Sequence, residues 1–262
     1  MRSKKRYIVL LLILIIFAVV MFFLFAKDNL KEEKEATTLI VGNTSVWKYS
    51  SRRWLNVTNP TTIDSINWMN FEVYEEGKHL GNYSVWNDGS EWYYFKENKD
   101  SIKPTGKVLA YKSNFEIKVK EFSEEQIDQS DIKYIDYVLE ENELSTSSLF
   151  TSSFKVNIDY DSDGEEETFY VLSNAFPTEF IPDQIFSLVF MVKDNSIYYL
   201  YNSIDENRSN NGCRPYFNYF LDLTNDGIDE IILSCGRYST KGTIDMLYKF
   251  VDDEFKIQIS NQ

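Results

Sequence analysis

The chain has 262 residues, of which 43% are hydrophobic and 16% are aromatic, so it is long enough to form one or two packed cores. Its formal net charge is −14, although the first 26 residues contain four basic side chains and no acidic ones, so the rest of the chain is more acidic still. This charge argues against nucleic acid or anionic lipid as a partner, because phosphate groups are bound through lysine and arginine.

An unbroken apolar stretch occupies residues 7–26 and is long enough to cross the hydrocarbon core of a membrane as a helix. The basic residues of segment 1–6 predict a cytoplasmic N-terminus and an extracellular location for everything after Lys27. A cleaved signal peptide is the alternative, and the length of the apolar stretch argues against it. We therefore expect an uncleaved, single-pass signal anchor in the plasma membrane, followed by a charged spacer over residues 27–38.

Residues 39–122 combine alternating apolar positions with turn signals, a pattern typical of a small antiparallel β domain. The pattern changes in residues 123–153. Ser123, with Gln126 three residues further on, resembles a helix capping box, and the apolar residues that follow share one helical face. We predict one helix in this segment, most securely over residues 131–141, and then a polar linker.

Residues 154–262 return to the strand pattern. A hairpin around an acidic loop is followed by a plain hairpin, and this order occurs twice with a period of about 60 residues. The predicted fold is therefore mainly β, with an N-terminal transmembrane helix, two antiparallel β-rich domains and one connecting helix. We expect the second domain to be a two-fold repeat of blade-like units without a closed propeller, because only two such loops are present.

The two acidic loops have closely similar sequences. They read DYDSDGEEE from Asp159 and DLTNDGIDE from Asp222, so both have Asp at positions one and five, Gly at six and Glu at nine. Oxygen ligands at alternate positions before a tight glycine turn suit a hard cation, and Ca²⁺ is the expected one. An EF-hand is excluded because position twelve is Tyr170 or Leu233, where that motif needs a bidentate glutamate.

Together with their strand-like flanks, these loops resemble the FG-GAP/VCBS-type repeats known from integrin α-subunits, in which the loop between two antiparallel strands holds Ca²⁺. The resemblance covers about residues 154–172 and 216–234. It implies two sets of calcium ligands, namely Asp159, Asp161, Asp163, the Glu165 carbonyl and Glu167 in the first loop, and Asp222, Thr224, Asp226, the Ile228 carbonyl and Glu230 in the second. Thr224 offers a hydroxyl where the family has a carboxylate or amide, so the second loop is expected to bind Ca²⁺ more weakly.

The two cysteines, Cys213 and Cys235, bracket the second acidic loop. An exterior location allows a disulfide between them, and free buried thiols are the equal alternative. If Leu221 lay opposite Ile231 in a hairpin, Cys213 would fall about four residues out of register with Cys235, so a bend would have to close the gap.

Nine aromatic residues in the first β domain suggest either a sugar-binding platform or the domain core, and core packing is the expectation for most of them. They are Trp47, Trp54, Trp68, Tyr74, Tyr83, Trp86, Trp92, Tyr93 and Tyr94. No catalytic residue is predicted. The expected function is that of a membrane-anchored, extracytoplasmic calcium-binding protein, non-catalytic, that binds or adheres to a protein or carbohydrate partner at the cell surface. The alternative is a surface hydrolase that acts on polysaccharide or peptidoglycan through acidic residues.

Overall fold

The computed structural model describes residues 37–42, 45–51, 53–96, 101–102, 107–145, 150–175, 184–205, 212–237 and 242–261. The predicted anchor over residues 7–26 and most of its flanking segments lie outside these ranges. Within them, no helix has the length and apolar character that a membrane crossing needs.

The described chain contains seventeen strands and two helices. In chain order they are β1 (Thr38–Val41), β2 (Ser45–Ser50), β3 (Arg53–Asn56), α1 (Pro60–Ile66), β4 (Asn70–Glu75), β5 (Lys78–Asn87), β6 (Trp92–Phe95), β7 (Ser101–Ile102), β8 (Val108–Lys112), β9 (Lys118–Lys120), α2 (Ile132–Glu141), β10 (Ser152–Ile158), β11 (Glu167–Ser173), β12 (Ile185–Lys193), β13 (Ser196–Asp205), β14 (Cys213–Asp222), β15 (Glu230–Arg237), β16 (Thr243–Val251) and β17 (Glu254–Ser260).

These strands form three antiparallel sheets. The first has eight strands in the order β3-β2-β1-β8-β4-β5-β6-β7, the second has four in the order β10-β11-β12-β13, and the third has five in the order β17-β16-β15-β14-β9. The prediction of a mainly β fold with antiparallel sheets is confirmed.

The sheets stack face to face, with the five-stranded sheet in the middle. One of its faces packs on the four-stranded sheet around Phe169 and Phe217. The other face packs on β1, β2, β3 and β8 of the eight-stranded sheet, around Leu109 and Ile232. Because β15 lies between two cores, residues on both of its faces are buried, and its first residue, Glu230, is followed by a continuous apolar run.

The repeat that the sequence predicts is present in the strand pairing. β10 and β11 flank the first acidic loop, and β12 and β13 form the plain hairpin that follows. β14 and β15 flank the second acidic loop, and β16 and β17 form the second plain hairpin. Each repeat is a four-stranded meander, and the two meanders pack face to face.

Residues 118–120 depart from the prediction. The sequence placed them in the meander of the first β domain, but Val119 pairs with Leu221 at the edge of the five-stranded sheet. The open edge of β14 presents unpaired backbone groups that a short segment can satisfy. As a result, Lys120 lies next to both acidic loops.

The register of the second loop hairpin also differs from the prediction. Leu221 pairs with Glu230 and not with Ile231, and the pairing shifts by one residue between Phe217 and Tyr219. This irregularity is a bulge at Asn218, a residue whose position sequence alternation does not reveal.

The connecting helix α2 agrees with the most secure part of its prediction, whereas the capping box at Ser123 and Gln126 is wrong. Glu125 instead forms an isolated antiparallel bridge with Lys155 of β10. The Asp131 carboxylate, just before the helix, accepts hydrogen bonds from Lys155 Nζ at 2.9 Å and from other donors. A contact between distant segments therefore outcompetes the local cap.

Helix α1 was not predicted. Asn59 Oδ1 accepts a hydrogen bond from Thr61 N at 2.9 Å, and Pro60 occupies the first helical turn. These are standard start signals. The helix has only seven residues, too few for a helical period to be recognised.

We predict that Phe169→Ala lowers the free energy of unfolding by about 3 to 5 kcal/mol, because it leaves a cavity in the core between the two meanders. Phe169 is fully buried, and four aromatic ring centroids lie 5.2 to 6.2 Å from its own. Urea unfolding followed by near-UV circular dichroism measures the change. Tyr137→Ala, at a side chain that is 55% exposed, is the control and should change stability by less than about 0.5 kcal/mol. Equal effects of the two variants would contradict the packing described.

Candidate functional sites in the acidic loops and on the open sheet face

Both acidic loops close through the same three backbone hydrogen bonds to their own carboxylates. In the first loop these are Gly164 N to Asp159 Oδ2 (3.2 Å), Glu165 N to Asp163 Oδ1 (2.9 Å) and Tyr160 N to Glu167 Oε2 (3.2 Å). In the second they are Gly227 N to Asp222 Oδ2 (3.1 Å), Ile228 N to Asp226 Oδ1 (3.1 Å) and Leu223 N to Glu230 Oε2 (2.7 Å). The carboxylates at positions one, five and nine therefore order the loop backbone through hydrogen bonds within the loop itself.

The backbone of the two loops also matches. Position four has a positive φ in both, 59° at Ser162 and 54° at Asn225. Position six has a positive φ at Gly164 and Gly227, 94° and 87°, which explains why both loops carry glycine there. Asparagine adopts the left-handed conformation at little cost, so Asn225 preserves the turn.

A lysine ammonium lies inside each ring of oxygen atoms. Lys193 Nζ contacts position nine (Glu167 Oε1, 2.8 Å), position five (Asp163 Oδ2, 3.2 Å) and position three (Asp161 Oδ2). Lys249 Nζ contacts position nine (Glu230 Oε1, 3.0 Å), position five (Asp226 Oδ2, 2.6 Å) and position three (Thr224 Oγ1, 2.7 Å). The same three loop positions therefore bind an ammonium group in both repeats.

The two lysines occupy equivalent places in the fold. Lys193 follows Val192, the residue paired with Thr168 at the end of the β11–β12 ladder. Lys249 follows Tyr248, the residue paired with Ile231 at the end of the β15–β16 ladder. In each repeat the lysine thus lies across from the glutamate at position nine, on the neighbouring strand.

The electrostatics of these contacts favour the charged lysine. Burial alone lowers the pKa of Lys193, but its hydrogen bonds to Asp161 and Glu167 outweigh burial and raise the pKa well above its ordinary value. Burial likewise lowers the pKa of Lys249, and its contacts with Asp226 and Glu230 raise it overall. Both lysines are therefore cations at any physiological pH.

The two loops also contact each other. Asp229 N donates to Tyr160 O at 2.9 Å. Lys120 Nζ lies 2.9 Å from Asp229 Oδ2 in the second loop, donates to the Asp159 carbonyl of the first loop, and lies 3.2 Å from Ser162 Oγ. Burial raises the pKa of Asp229 to about 7, with Lys120 opposing the shift. Lys120 is therefore a third lysine at this end of the two sheets, and it joins the acidic loop of one repeat to that of the other.

The first loop has some features of a calcium site. Carboxylate oxygens of Asp159, Asp161 and Glu167 lie within 4.8 Å of one another, a separation that ligands of one Ca²⁺ can have. Asp159 Oδ1 and Asp161 Oδ1 are buried and have no hydrogen-bond partner among the residues that the structure describes. Calcium at this site would compete with Lys193, because the lysine ammonium contacts the carboxylates of Asp161 and Glu167.

The second loop fits calcium less well. Both oxygens of Glu230 and both of Asp226 are engaged by backbone N–H groups, a side-chain hydroxyl or Lys249. Both oxygens of Asp222 accept backbone N–H groups. Of the predicted carbonyl ligands, Glu165 has an exposed side chain, and Ile228 packs its side chain against the core.

Cys213 and Cys235 form a disulfide with a Cα separation of 5.4 Å. Cys235 pairs with Pro215 and Cys213 pairs with Arg237, so the two cysteines are diagonal neighbours on one face of the hairpin. The bulge at Asn218 and the actual register reduce the offset that the sequence suggested, so no bend is needed.

The nine aromatic residues named above from the first β domain separate into two groups. Trp47 and Trp54 are buried against the five-stranded sheet, whereas Tyr83, Trp92 and Tyr94 are buried in the core on the other face of the eight-stranded sheet. The remaining four lie on the same face as Trp47 and Trp54, or beside it. The five-stranded sheet packs on this face at β1, β2, β3 and β8 and reaches Tyr74 of β4. Among the described residues, we term the remaining part over β4, β5 and β6 the open sheet face.

One end of the open sheet face is an aromatic cluster. Trp68, which precedes β4, is 63% exposed. Its ring centroid lies 6.3 Å from Trp86, in a stacked arrangement, and 5.6 Å from Phe95. Tyr93 lies 5.5 Å from Trp86 on the far side. The rings thus form a continuous apolar strip along the sheet.

The other end of the open sheet face is a polar cleft of about 590 Å³. Glu72 accepts hydrogen bonds in it from Asn82 Nδ2 at 3.0 Å and lies 2.8 Å from His79 Nε2. These contacts, Asn82 foremost, hold the pKa of Glu72 below its ordinary value. Tyr74 and Tyr111 are stacked rings in the same cleft, with centroids 6.0 Å apart.

Asn70 and Ser84 connect the aromatic and polar ends. They are paired across β4 and β5, and Ser84 Oγ donates to Asn70 Oδ1 at 2.7 Å. Ser84 also pairs with Phe95 of the aromatic cluster. Asn70 in turn lines the cleft.

Neither the models of known protein families, nor curated proteins, nor solved structures show a match to this chain.

We predict a specific pH dependence from Asp229. Its pKa rises from an ordinary 3.8 to about 7 on folding, so between these values the folded state retains a proton that the unfolded state releases. The unfolding free energy must therefore fall as the pH rises through this window, and Asp229→Asn should flatten the profile. Urea unfolding midpoints at several pH values measure this. Asp252→Asn in an exposed turn is the control, and parallel profiles of wild type and Asp229→Asn would contradict the assignment.

Proposed function

We propose that this protein is a non-catalytic binding module, tethered outside the plasma membrane by residues 7–26, that binds an uncharged saccharide chain on its open sheet face. The observation that carries the proposal is the composition of that face. An aromatic strip, in which Trp68 is exposed and Trp86, Tyr93 and Phe95 are partly exposed, borders a cleft with hydrogen-bonding side chains.

The aromatic strip suits the C–H faces of sugar rings. Aromatic side chains provide large flat apolar surfaces with few rotatable bonds, and Trp68, Trp86 and Phe95 present three of them side by side. The neighbouring side chains of Asn70, Ser84 and Asn82 offer amide and hydroxyl groups that can exchange hydrogen bonds with sugar hydroxyls. Flat rings and short polar groups on one rigid sheet match a ligand that is itself apolar on its ring faces and polar at its edges.

The backbone at Trp68 supports a binding role for this ring. Trp68 has φ of 67°, a conformation that is rare for a bulky residue and costs on the order of 1 to 3 kcal/mol. Its N–H donates to Val85 O at 2.6 Å, which holds the segment against β5. The conformation places the ring in solvent beside Trp86, where it does not contribute to a buried core.

Other partner classes match the surface less well. Exposed tryptophan also occurs at membrane interfaces, but polar Ser84 and Asn70 border the strip, and the net charge of −14 disfavours anionic bilayers. The same charge disfavours nucleic acid and acidic polysaccharide. An uncharged saccharide chain meets neither objection.

The acidic loops have a different part in this proposal. They lie in the C-terminal meanders, and their contacts join strands and sheets. We propose that this half is the rigid support on which the first sheet is displayed.

A polysaccharide hydrolase is the second candidate. Glu72 and Glu116 both line the cleft next to the aromatic strip, and glycosidases use a pair of carboxyl groups. His79 contacts one oxygen of Glu72 and Asn82 contacts the other, so this carboxylate is held in place as a hydrogen-bond acceptor. Release of reducing ends from any polysaccharide that binds, lost in Glu72→Gln, would favour this candidate over the non-catalytic one.

We predict that Trp68→Gly weakens saccharide binding by roughly tenfold or more, since it removes a stacking ring worth about 1 to 2 kcal/mol. Glycine accepts the positive φ freely, so the thermal midpoint should stay equal or rise. Trp86→Ala should weaken binding similarly, and Tyr137→Ala on α2 should not. The measurement is a tryptophan fluorescence titration of the full chain in a polyoxyethylene detergent, with soluble β-glucan, mannan and chitooligosaccharides.

Two outcomes would contradict the proposal. One is binding that survives in Trp68→Gly and Trp86→Ala. The other is binding of phosphatidylcholine vesicles, or of none of the saccharides, by the wild-type chain.

We further predict that protease added to intact cells digests a C-terminal tag on the full chain, because the charge distribution around residues 7–26 orients the C-terminus outside. A cytoplasmic protein with the same tag is the control for cell lysis. Digestion only after permeabilisation would rule out the exterior location.

A further inference from the structure

We propose that the two acidic loops carry their own cation: Lys193 and Lys249 occupy the positions at which a metal ion would otherwise neutralise the carboxylates. The fold then needs no calcium, although its loops have the sequence of a calcium motif. This inference concerns the C-terminal meanders and is independent of the saccharide proposal.

The repetition of the contacts is the first argument. In both loops an ammonium group meets side-chain oxygens at positions three, five and nine. The two lysines come from sequence-distant hairpins, yet each lies across from position nine on the neighbouring strand. One such contact would be an ordinary ion pair, whereas the same three-oxygen contact in both repeats indicates a feature of the repeat unit itself.

The burial of the glutamates at position nine is the second argument. Glu167 is 3% exposed and Glu230 is 1% exposed. A buried carboxylate is strongly unfavourable without a positive charge close by. Lys193 and Lys249 supply that charge at 2.8 Å and 3.0 Å, so no additional cation is required at either position.

Mutual exclusion is the third argument. Calcium takes six to eight oxygen ligands at about 2.3 to 2.6 Å. An ion bound to the oxygens that Lys193 contacts would lie almost on top of its ammonium nitrogen, which is only 2.8 Å from Glu167 Oε1. Lysine and calcium therefore compete for the same place, and the lysine is covalently tethered at high effective concentration.

The two loops differ in what remains after the lysine is bound. Within the described part of the chain, Asp159 Oδ1 and Asp161 Oδ1 in the first loop are buried and accept no hydrogen bond. In the second loop, backbone N–H groups and Lys249 engage the oxygens of Asp222, Asp226 and Glu230. Removal of the lysine should therefore create a better calcium site in the first loop than in the second.

The test replaces each lysine by methionine, which keeps much of the side-chain volume and removes the charge. Thermal midpoints of the full chain in detergent are measured with chelator, with magnesium and with calcium at about 1 mM, the range of extracellular calcium modules. The wild-type midpoint should be the same in all three solutions. In chelator, Lys193→Met should melt on the order of 5 to 10 °C lower, because a buried carboxylate loses its counter-charge.

Calcium should then restore most of the lost thermal midpoint in Lys193→Met and a smaller part of it in Lys249→Met. Magnesium should restore much less in either variant. Lys256→Met is the matched control. Lys256 lies in the five-stranded sheet, as Lys249 does, and is ion-paired with Asp252 and Glu254 at an exposed turn. Its midpoint should be nearly unchanged and insensitive to calcium. Lys193→Arg keeps the charge and should remain insensitive as well.

Calorimetric titration of the wild-type chain with calcium provides a result even if Lys193→Met does not fold. The proposal predicts no binding tighter than about 1 mM. Calcium binding to the wild type at lower concentration, or a rise of its midpoint by several degrees in calcium, would overturn the proposal. So would a Lys193→Met variant that melts like the wild type in chelator.

Discussion

Two buried glutamates, Glu167 and Glu230, set the main physical constraint on this fold. Each begins the strand that leaves an acidic loop, and each is almost fully buried, so water cannot stabilise its charge. Each carboxylate turns one oxygen toward a backbone N–H at position two of its loop and the other toward a lysine on the next strand. Loop, strand pairing and sheet register are therefore tied to one another at these two points.

This constraint organises the C-terminal half and, through it, the rest of the molecule. Lys193 lies on β12 and Lys249 on β16, the third strands of their meanders. Each loop is therefore bound to the third strand as well as to the two strands of its own hairpin. Lys120 on β9 connects the two loops, and β9 itself is supplied by the N-terminal half of the chain. The five-stranded sheet thereby holds both neighbours in place. It covers only part of the eight-stranded sheet, and the uncovered part presents Trp68, Trp86 and Phe95.

Local patterns predicted much of this architecture. Alternation and Gly turns located the strands of both meanders, and the matching loop motifs revealed their repeat. The loop carboxylates were also found from spacing, because a curled chain brings alternate side chains together. The lysines were missed, since Lys193 and Lys249 are 34 and 27 residues from the first aspartate of their loops, so only strand pairing brings them close. The pairing of β9 with β14 and the bulge at Asn218 also depend on contacts between distant segments, so local patterns did not predict them.

On the open sheet face, too, the sequence predicted some features and tertiary packing determined the others. Aromatic residues on strands were expected, and core packing was expected for most of them, whereas five of the nine are buried. Which of them face solvent depends on how far the five-stranded sheet extends, a property of tertiary packing that no local pattern contains. The positive φ of Trp68 is likewise set by the junction between α1 and β4.

The central claim is that lysine nitrogen, and not a metal ion, lies at the centre of each acidic loop. Diffraction from crystals grown in calcium and measured at a wavelength where calcium scatters anomalously tests it most directly. We expect no anomalous peak in either loop and a lysine Nζ within about 3 Å of the oxygens at positions three, five and nine. An anomalous peak with oxygen ligands at about 2.3 to 2.6 Å and a displaced Lys193 or Lys249 would contradict it.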